Sequence, residues 1–164
     1  MRARSRDGSA ALEFAIVAPV FFLLLFGIIE TGLIFFASTD LENATNTVAR
    51  LIRTGQAQGM SAADFRTQVC NDIAPLLGCN SNLQVDVESF SQFSGNSFSN
   101  PIVNGGLDPN LNNFSPGNAG DVVLVRTFYK WSIITPLLQP FLANLTGGQH
   151  LISSTAAFRN EPFS

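Results

Sequence analysis

The sequence is poor in the residues from which catalytic and metal sites are built. It holds one histidine, two cysteines, one tryptophan and one tyrosine among 164 residues. No HExxH, GxSxG, phosphate-loop or CxxC pattern occurs. No catalytic, metal or cofactor site is therefore expected, and His150 reads as a strand surface residue rather than a base. Positive charge is scarce as well. Net charge is −3, and three of the nine basic residues, Arg2, Arg4 and Arg6, fall in the first six positions. Without Met1–Gly8, which carry three Arg and one Asp, net charge moves to −5. An acidic chain with dispersed basic residues is a poor nucleic-acid binder, which sets that class aside.

Charge is missing altogether from two adjacent stretches, Phe14–Ile29 and Thr31–Thr39, separated only by Glu30. A membrane helix needs about 20 apolar residues. Ala15–Phe36 supplies that length if Glu30 lies near the outer interface. Basic residues precede the run and few follow it, which places the N-terminus in the cytoplasm and the rest of the chain outside. A secretory signal is the competing expectation, but its apolar region spans about 7–15 residues before a small-x-small cleavage site. Here the run is longer, and the late candidate after Ala37 has bulky Phe35 where a small residue is needed. Pro19 and Gly27 are read as ordinary membrane-helix residues, which tolerate both better than soluble helices do.

Glu13 is the informative residue of the start. A carboxylate costs up to about 3 kcal/mol at the centre of a bilayer and less near its edge. One reading places it at headgroup level, favourably close to a helix N-terminus. The other follows from its neighbours. Gly8 precedes Ser9, and counting Ser9 as the first position makes Glu13 the fifth. This glycine, apolar stretch and fifth-position glutamate resemble the type IV prepilin maturation motif. The resemblance implies cleavage between Gly8 and Ser9 by a membrane prepilin peptidase. It also implies a partner for Glu13, the new α-amine of a neighbouring subunit, whose pKa of about 7.7–8.0 keeps it largely cationic at neutral pH. Such pairing would offset desolvation and set the axial register of packed helices.

Longer stretches narrow the resemblance. GSAALEFAIVAPVFFLLLFGIIETG at the start, ARLIRTGQAQG at Ala49–Gly59, FRTQVCNDIAPLLGC, FYKWSIITPLL and STAAFRNEPF are similar to the TadE-like family of tight-adherence (Flp) pilus assembly proteins. Phe14 stands where the pilin pattern often has tyrosine after the glutamate. The family resemblance implies a minor pilin or pseudopilin that assists assembly of the fibre, with the membrane, the prepilin peptidase and other pilin-like subunits, including the major pilin, as partners. It implies an inner-membrane protein with a leader at 1–8, a membrane helix at 9–37 and an extracytoplasmic pilin-like domain at 38–164. The alternative is an uncleaved single-pass scaffold or partner-binding protein of the same machinery.

Beyond the anchor, an α+β fold is expected. Leu41, Ala44, Thr45, Val48, Ala49 and Ile52 recur at helical spacing and form one stripe, with Gly55 and Gly59 as stop signals. Ser61–Leu76 reads as a second helix, capped by Ser61 with Asp64, buried through Phe65, Val69, Ile73, Leu76 and Leu77, and ending near Pro75. Leu83–Glu88 alternates as a half-buried strand whose polar face carries Asp86 and Glu88. Ser89–Gly120 reads as a long loop with docked aromatics, either a subunit contact surface or a solvated connection. Asp121–Trp131 and Leu151–Arg159 read as strands, Pro136–Leu145 as a short helix, and Tyr129 and Trp131 as core. The expected sheet has about three antiparallel strands packed on helices. Cys70 and Cys79, on the exported side, are expected to form a disulfide, with two free core thiols as the alternative.

Overall fold

In the computed structural model the protein is described over residues 5–73, 77–78, 81–93 and 98–163. Its first element is one helix, α1, Ser5–Arg53, which carries Pro19 within it and extends roughly 70 Å at about 1.5 Å per residue. Its two halves meet different surroundings. Leu12, Phe14, Ile16, Val17 and most large apolar side chains through Ile29 are exposed. From Ala37 onward the expected stripe is buried: Leu41, Ala44, Thr45, Val48, Ala49 and Ile52 all face the domain. Spacing alone produced this, because residues three and four apart share a helix face.

The helix stops where the sequence supplies glycine. Gly55 has φ +79°, and a Cβ built there would lie 2.6 Å from the ring of Phe163, so the turn and the docked C-terminal tail both require glycine. The tail is also fixed by the Glu161 N–H donating to the Arg53 carbonyl at 2.9 Å. Helix α2, Ala62–Asp72, begins with the expected capping box between Ser61 and Asp64. It closes earlier than Leu76: Ile73 is already extended at ψ 138°, two residues before Pro75, whose ring disfavours helical geometry in the residue preceding it. Phe65, Val69, Ile73 and Leu77 are buried; Leu76 lies outside the described residues.

Three strands, β1 Leu83–Phe90, β4 Val122–Ser132 and β5 Gln149–Arg159, form an antiparallel sheet in the order β1-β4-β5. A two-residue hairpin, β2 Ile102–Val103 with β3 Gly106–Leu107, lies between β1 and β4 in the chain. The fold is α+β, as expected. Strand β4 is buried along almost its whole length, the pattern of a central strand covered on both faces. Val123, Val125, Tyr129 and Trp131 join the core shared with α1 and α2. Phe128 packs on the other side with Leu111, Leu145 and Leu151, flanked by Ile102 and Leu107. The stretch 98–120 is therefore packed on the sheet in part, through Ile102, Leu107, Leu111 and Phe114, while many of its other residues stay exposed. Its segment at Phe114 pairs in parallel with Val87 at the sheet edge, and the Phe114 ring meets that of Phe65 at a tilt, with centroids 5.1 Å apart. Across the helix–sheet interface, buried Thr45 donates to the Leu41 carbonyl and its hydroxyl also bonds that of Thr127, which ties α1 to β4.

Candidate functional site

Two regions of α1 carry polar groups that an apolar helix does not need for folding. The first is the N-terminal turn. Gly8 and Ser9 lie in continuous helical backbone. The Ser9 hydroxyl donates to Glu13 Oε1 at 3.0 Å, one turn along the exposed helix surface. The spacing of four residues, which suggested the motif, thus puts the first and fifth positions on one face.

The second region is Glu30. Its side chain is 2% exposed and fully enclosed where α1 passes the end of β4. Four donors converge on it. The Trp131 indole N–H reaches Oε1 at 3.3 Å and the Ile134 N–H reaches the same oxygen at 3.1 Å. The Thr135 N–H and hydroxyl both reach Oε2, each at 3.1 Å. Two backbone N–H groups, an indole and a hydroxyl form a cradle for an acceptor with two oxygens. Strand β4 ends beside them, and the β4–β5 connection, Ile133–Gly148, starts by wrapping Glu30. The sequence marked Glu30 only as a boundary of the apolar run. Its donors lie 101 to 105 residues away along the chain, so no local signal announced the cradle.

A third polar cluster lies on the outer face of the sheet. Asp86 was expected on a solvated strand face, yet it is wholly buried. The register sets Asp86 directly opposite Arg126. Arg126 Nη2 and Nε donate to Asp86 Oδ2 at 2.7 and 3.1 Å, and Nη2 also donates to Glu88 Oε1 at 2.7 Å. The other oxygen of Asp86 accepts from the Asn113 N–H and side chain at 3.0 and 3.2 Å. The cluster pins segment 108–115 over the sheet and is structural. Burial pushes the Glu88 carboxyl above its usual range, with the Asp86 carboxylate adding to the rise and Arg126 opposing it.

Cys70 is half-buried near the end of α2 and packs against the core, while Cys79 lies outside the described residues. His150 sits on β5 with Nδ1 2.6 Å from the Leu142 carbonyl oxygen. Among the described residues no group of three or more His, Cys, Asp or Glu side chains is placed to hold a metal ion. Among the described residues one helix, α1, is long and apolar enough to cross a membrane.

Residues 8–50 match the family model described as TadE-like protein. Over this segment, about a quarter of the chain, the sequence is similar to that family. The match begins at Gly8, covers the apolar half of α1 and Glu30, and ends within the buried stripe. No curated protein and no solved structure matches the chain.

Two predictions follow from the polar clusters. Glu30→Ala leaves four buried donors without an acceptor and should lower unfolding free energy by ~3 kcal/mol. Glu30→Gln, which presents an NH₂ to donors, should fall between the two. Thermal unfolding in detergent reads this, and a loss under ~0.5 kcal/mol, the scale of an ordinary surface change, would contradict the cradle. For Glu88 the folded-state pKa lies above the unfolded value, so its ionised form is disfavoured by folding at neutral pH. Its contribution becomes more favourable as pH falls through the raised value toward the ordinary 4.5. Glu88→Gln should remove that part of the pH dependence, seen as a flatter Tm against pH between neutrality and mild acid.

Proposed function

We propose that the chain is a minor pilin or pseudopilin that assists assembly of a tight-adherence pilus after prepilin-type maturation. In this reading Met1–Gly8 is a cytoplasmic leader, residues 9–37 span the inner membrane, and 38–164 form the extracytoplasmic domain. The observation that carries it is the TadE-like match starting at Gly8 on a helix that changes character along its length. An exposed apolar half suits lipid or neighbouring helices, and a half buried under a sheet presents a folded head. Such a helix both anchors a subunit and carries its domain.

Cleavage after Gly8 would free an α-amine at Ser9, one helical turn from Glu13. Glu13 is exposed, with Ser9 as its partner within the chain. In the apolar surroundings of packed helices its partner would be the cationic amine of a neighbouring subunit. The charge pair would then fix how far one helix slides along the next. A disulfide between Cys70 and Cys79 is proposed as a brace on the segment after α2. It would close a short loop and contribute about 2–3 kcal/mol on the chain-entropy model.

Intact mass or N-terminal sequencing of the membrane-extracted protein, with and without the cognate peptidase, tests maturation. A start at Ser9 is expected with the peptidase, and Gly8→Ala should retain the leader while leaving insertion intact. A start at Met1 or Arg2 in cells with active peptidase would favour the uncleaved membrane scaffold. Glu13→Val should be cut normally yet impair pilus formation, and full piliation would remove the pairing. Reductant should lower the Tm of the wild-type protein but not of a Cys70→Ser, Cys79→Ser variant, and equal Tm values in both states would count against the disulfide.

A further inference from the structure

The connection between β4 and β5 is unusually apolar for the surface of an exported domain. No charged side chain occurs from Trp131 to Gln149. It forms a 3-10 turn at Pro136–Leu138 followed by a short helix, α3, Gln139–Leu142. The largest apolar side chains point outward: Ile134 is 65% exposed, Leu137 70% and Phe141 83%. Three such residues on one tip are costly in water, and patches of this kind mark contact with a partner or a membrane.

The position of this segment names the partner. It does not project into solvent above the domain but lies back along α1. Leu138, Phe141 and Leu142 form one wall of a groove of about 710 Å³ whose other wall is α1 from Leu23 to Phe35. A Cβ on Gly27 would meet Leu138 at 3.8 Å, an ordinary van der Waals distance, so the segment lies directly against the helix at this point. If Glu13 marks the inner edge of the hydrocarbon, Leu23 lies roughly 15 Å and Phe35 roughly 33 Å further along the helix. A hydrocarbon core is about 30 Å thick, so the segment runs beside the outer-leaflet half of the helix. Its exposed surface continues that of Phe21, Leu24 and Ile28, which are themselves exposed.

Most of the backbone N–H groups of this segment are bonded within the protein. Irregular chain in hydrocarbon needs its N–H groups bonded within the protein. The Ile133 N–H donates to Gly148, those of Ile134 and Thr135 to Glu30, and that of Leu138 to Thr135. The N–H groups of Gln139 and Ala143 donate to Pro136 and Gln139, and Pro136 and Pro140 have none to satisfy. The Leu142 carbonyl is met by His150. Glu30, the one carboxylate at this level, is enclosed by its four donors.

We propose that Ile134–Leu142 is a second membrane-inserted element, a wedge in the outer leaflet beside the spanning helix, with lipid acyl chains occupying the groove between them. The proposal rests on the reading of α1 as membrane-spanning. The wedge holds the head domain against the bilayer surface at a fixed height, with the Glu30 cradle as its hinge point on the helix.

The test reconstitutes the full chain in phosphatidylethanolamine–phosphatidylglycerol vesicles containing lipids brominated along the acyl chains. Tryptophan emission is compared for Phe141→Trp, Phe21→Trp on the helix and Phe93→Trp on an exposed stretch after β1, each after subtraction of the wild-type signal from Trp131. The wedge predicts that Phe141→Trp emission is shifted to shorter wavelength and quenched as strongly as that of Phe21→Trp, with Phe93→Trp unquenched. Quenching of Phe21→Trp alone would overturn the wedge and leave the spanning helix standing. Quenching of neither would overturn the spanning reading itself. Quenching at Phe141 that disappears as the protein-to-lipid ratio rises would also overturn the proposal, because a neighbouring subunit's helix would then fill the groove in place of lipid.

Discussion

Four hydrogen-bond donors converge on the Glu30 carboxylate, and the relation of the head domain to the long helix depends on them. A carboxylate flanked by apolar stretches is costly to bury without partners and holds firmly once they are supplied. The donors come from the end of β4 and the first turn of the connection that follows it. Burying this group therefore fixes where the sheet ends along the helix and sends the β4–β5 connection back down α1. The Thr45–Thr127 contact, further up the same helix, makes a second polar tie in an interface otherwise built from Leu41, Val48 and Ile52. A sheet held at both points cannot slide or rotate on its helix without leaving buried polar groups unmatched.

The helix itself has two kinds of surface. Through Ile29 its large apolar residues face outward on all sides, as a helix surrounded by lipid or other helices requires. From Ala37 it narrows to one apolar stripe that faces the sheet. Glu30 sits between the two regimes. The family match spans both and ends within the stripe, so the matched segment takes in the exposed apolar half together with the part of the helix on which the sheet packs.

Much of this was legible in the sequence because it rests on local periodicity. The stripe from Leu41 to Ile52, the Ser61 cap, the three long strands and the core placement of Tyr129 and Trp131 all follow from spacing and residue type. What was not legible depends on pairing between distant residues. Asp86 looks like one of the polar residues of an alternating strand until the register places Arg126 opposite it. The stretch after Phe90 has the composition of a loop, and its role as cover appears only once Leu111 and Phe128 share a cluster. Glu30 read as a boundary because the groups that donate to its oxygens lie more than 100 residues further along the chain. For Gly8, Ser9 and Glu13 the signal was a motif, and the structure adds that the last two share one helix face.

The most direct measurement of the central claim is amide hydrogen exchange, resolved at Ile134 and Thr135, in the full protein held in lipid nanodiscs. If Glu30 cradles these N–H groups, both should exchange as slowly as the amides of the β4 interior. The protection should vanish in Glu30→Ala while persisting at Val123 and Val125. Exchange at Ile134 and Thr135 at the rate of an open loop in the wild-type protein would show that the carboxylate does not hold the domain to the helix, and the account built on it would fall.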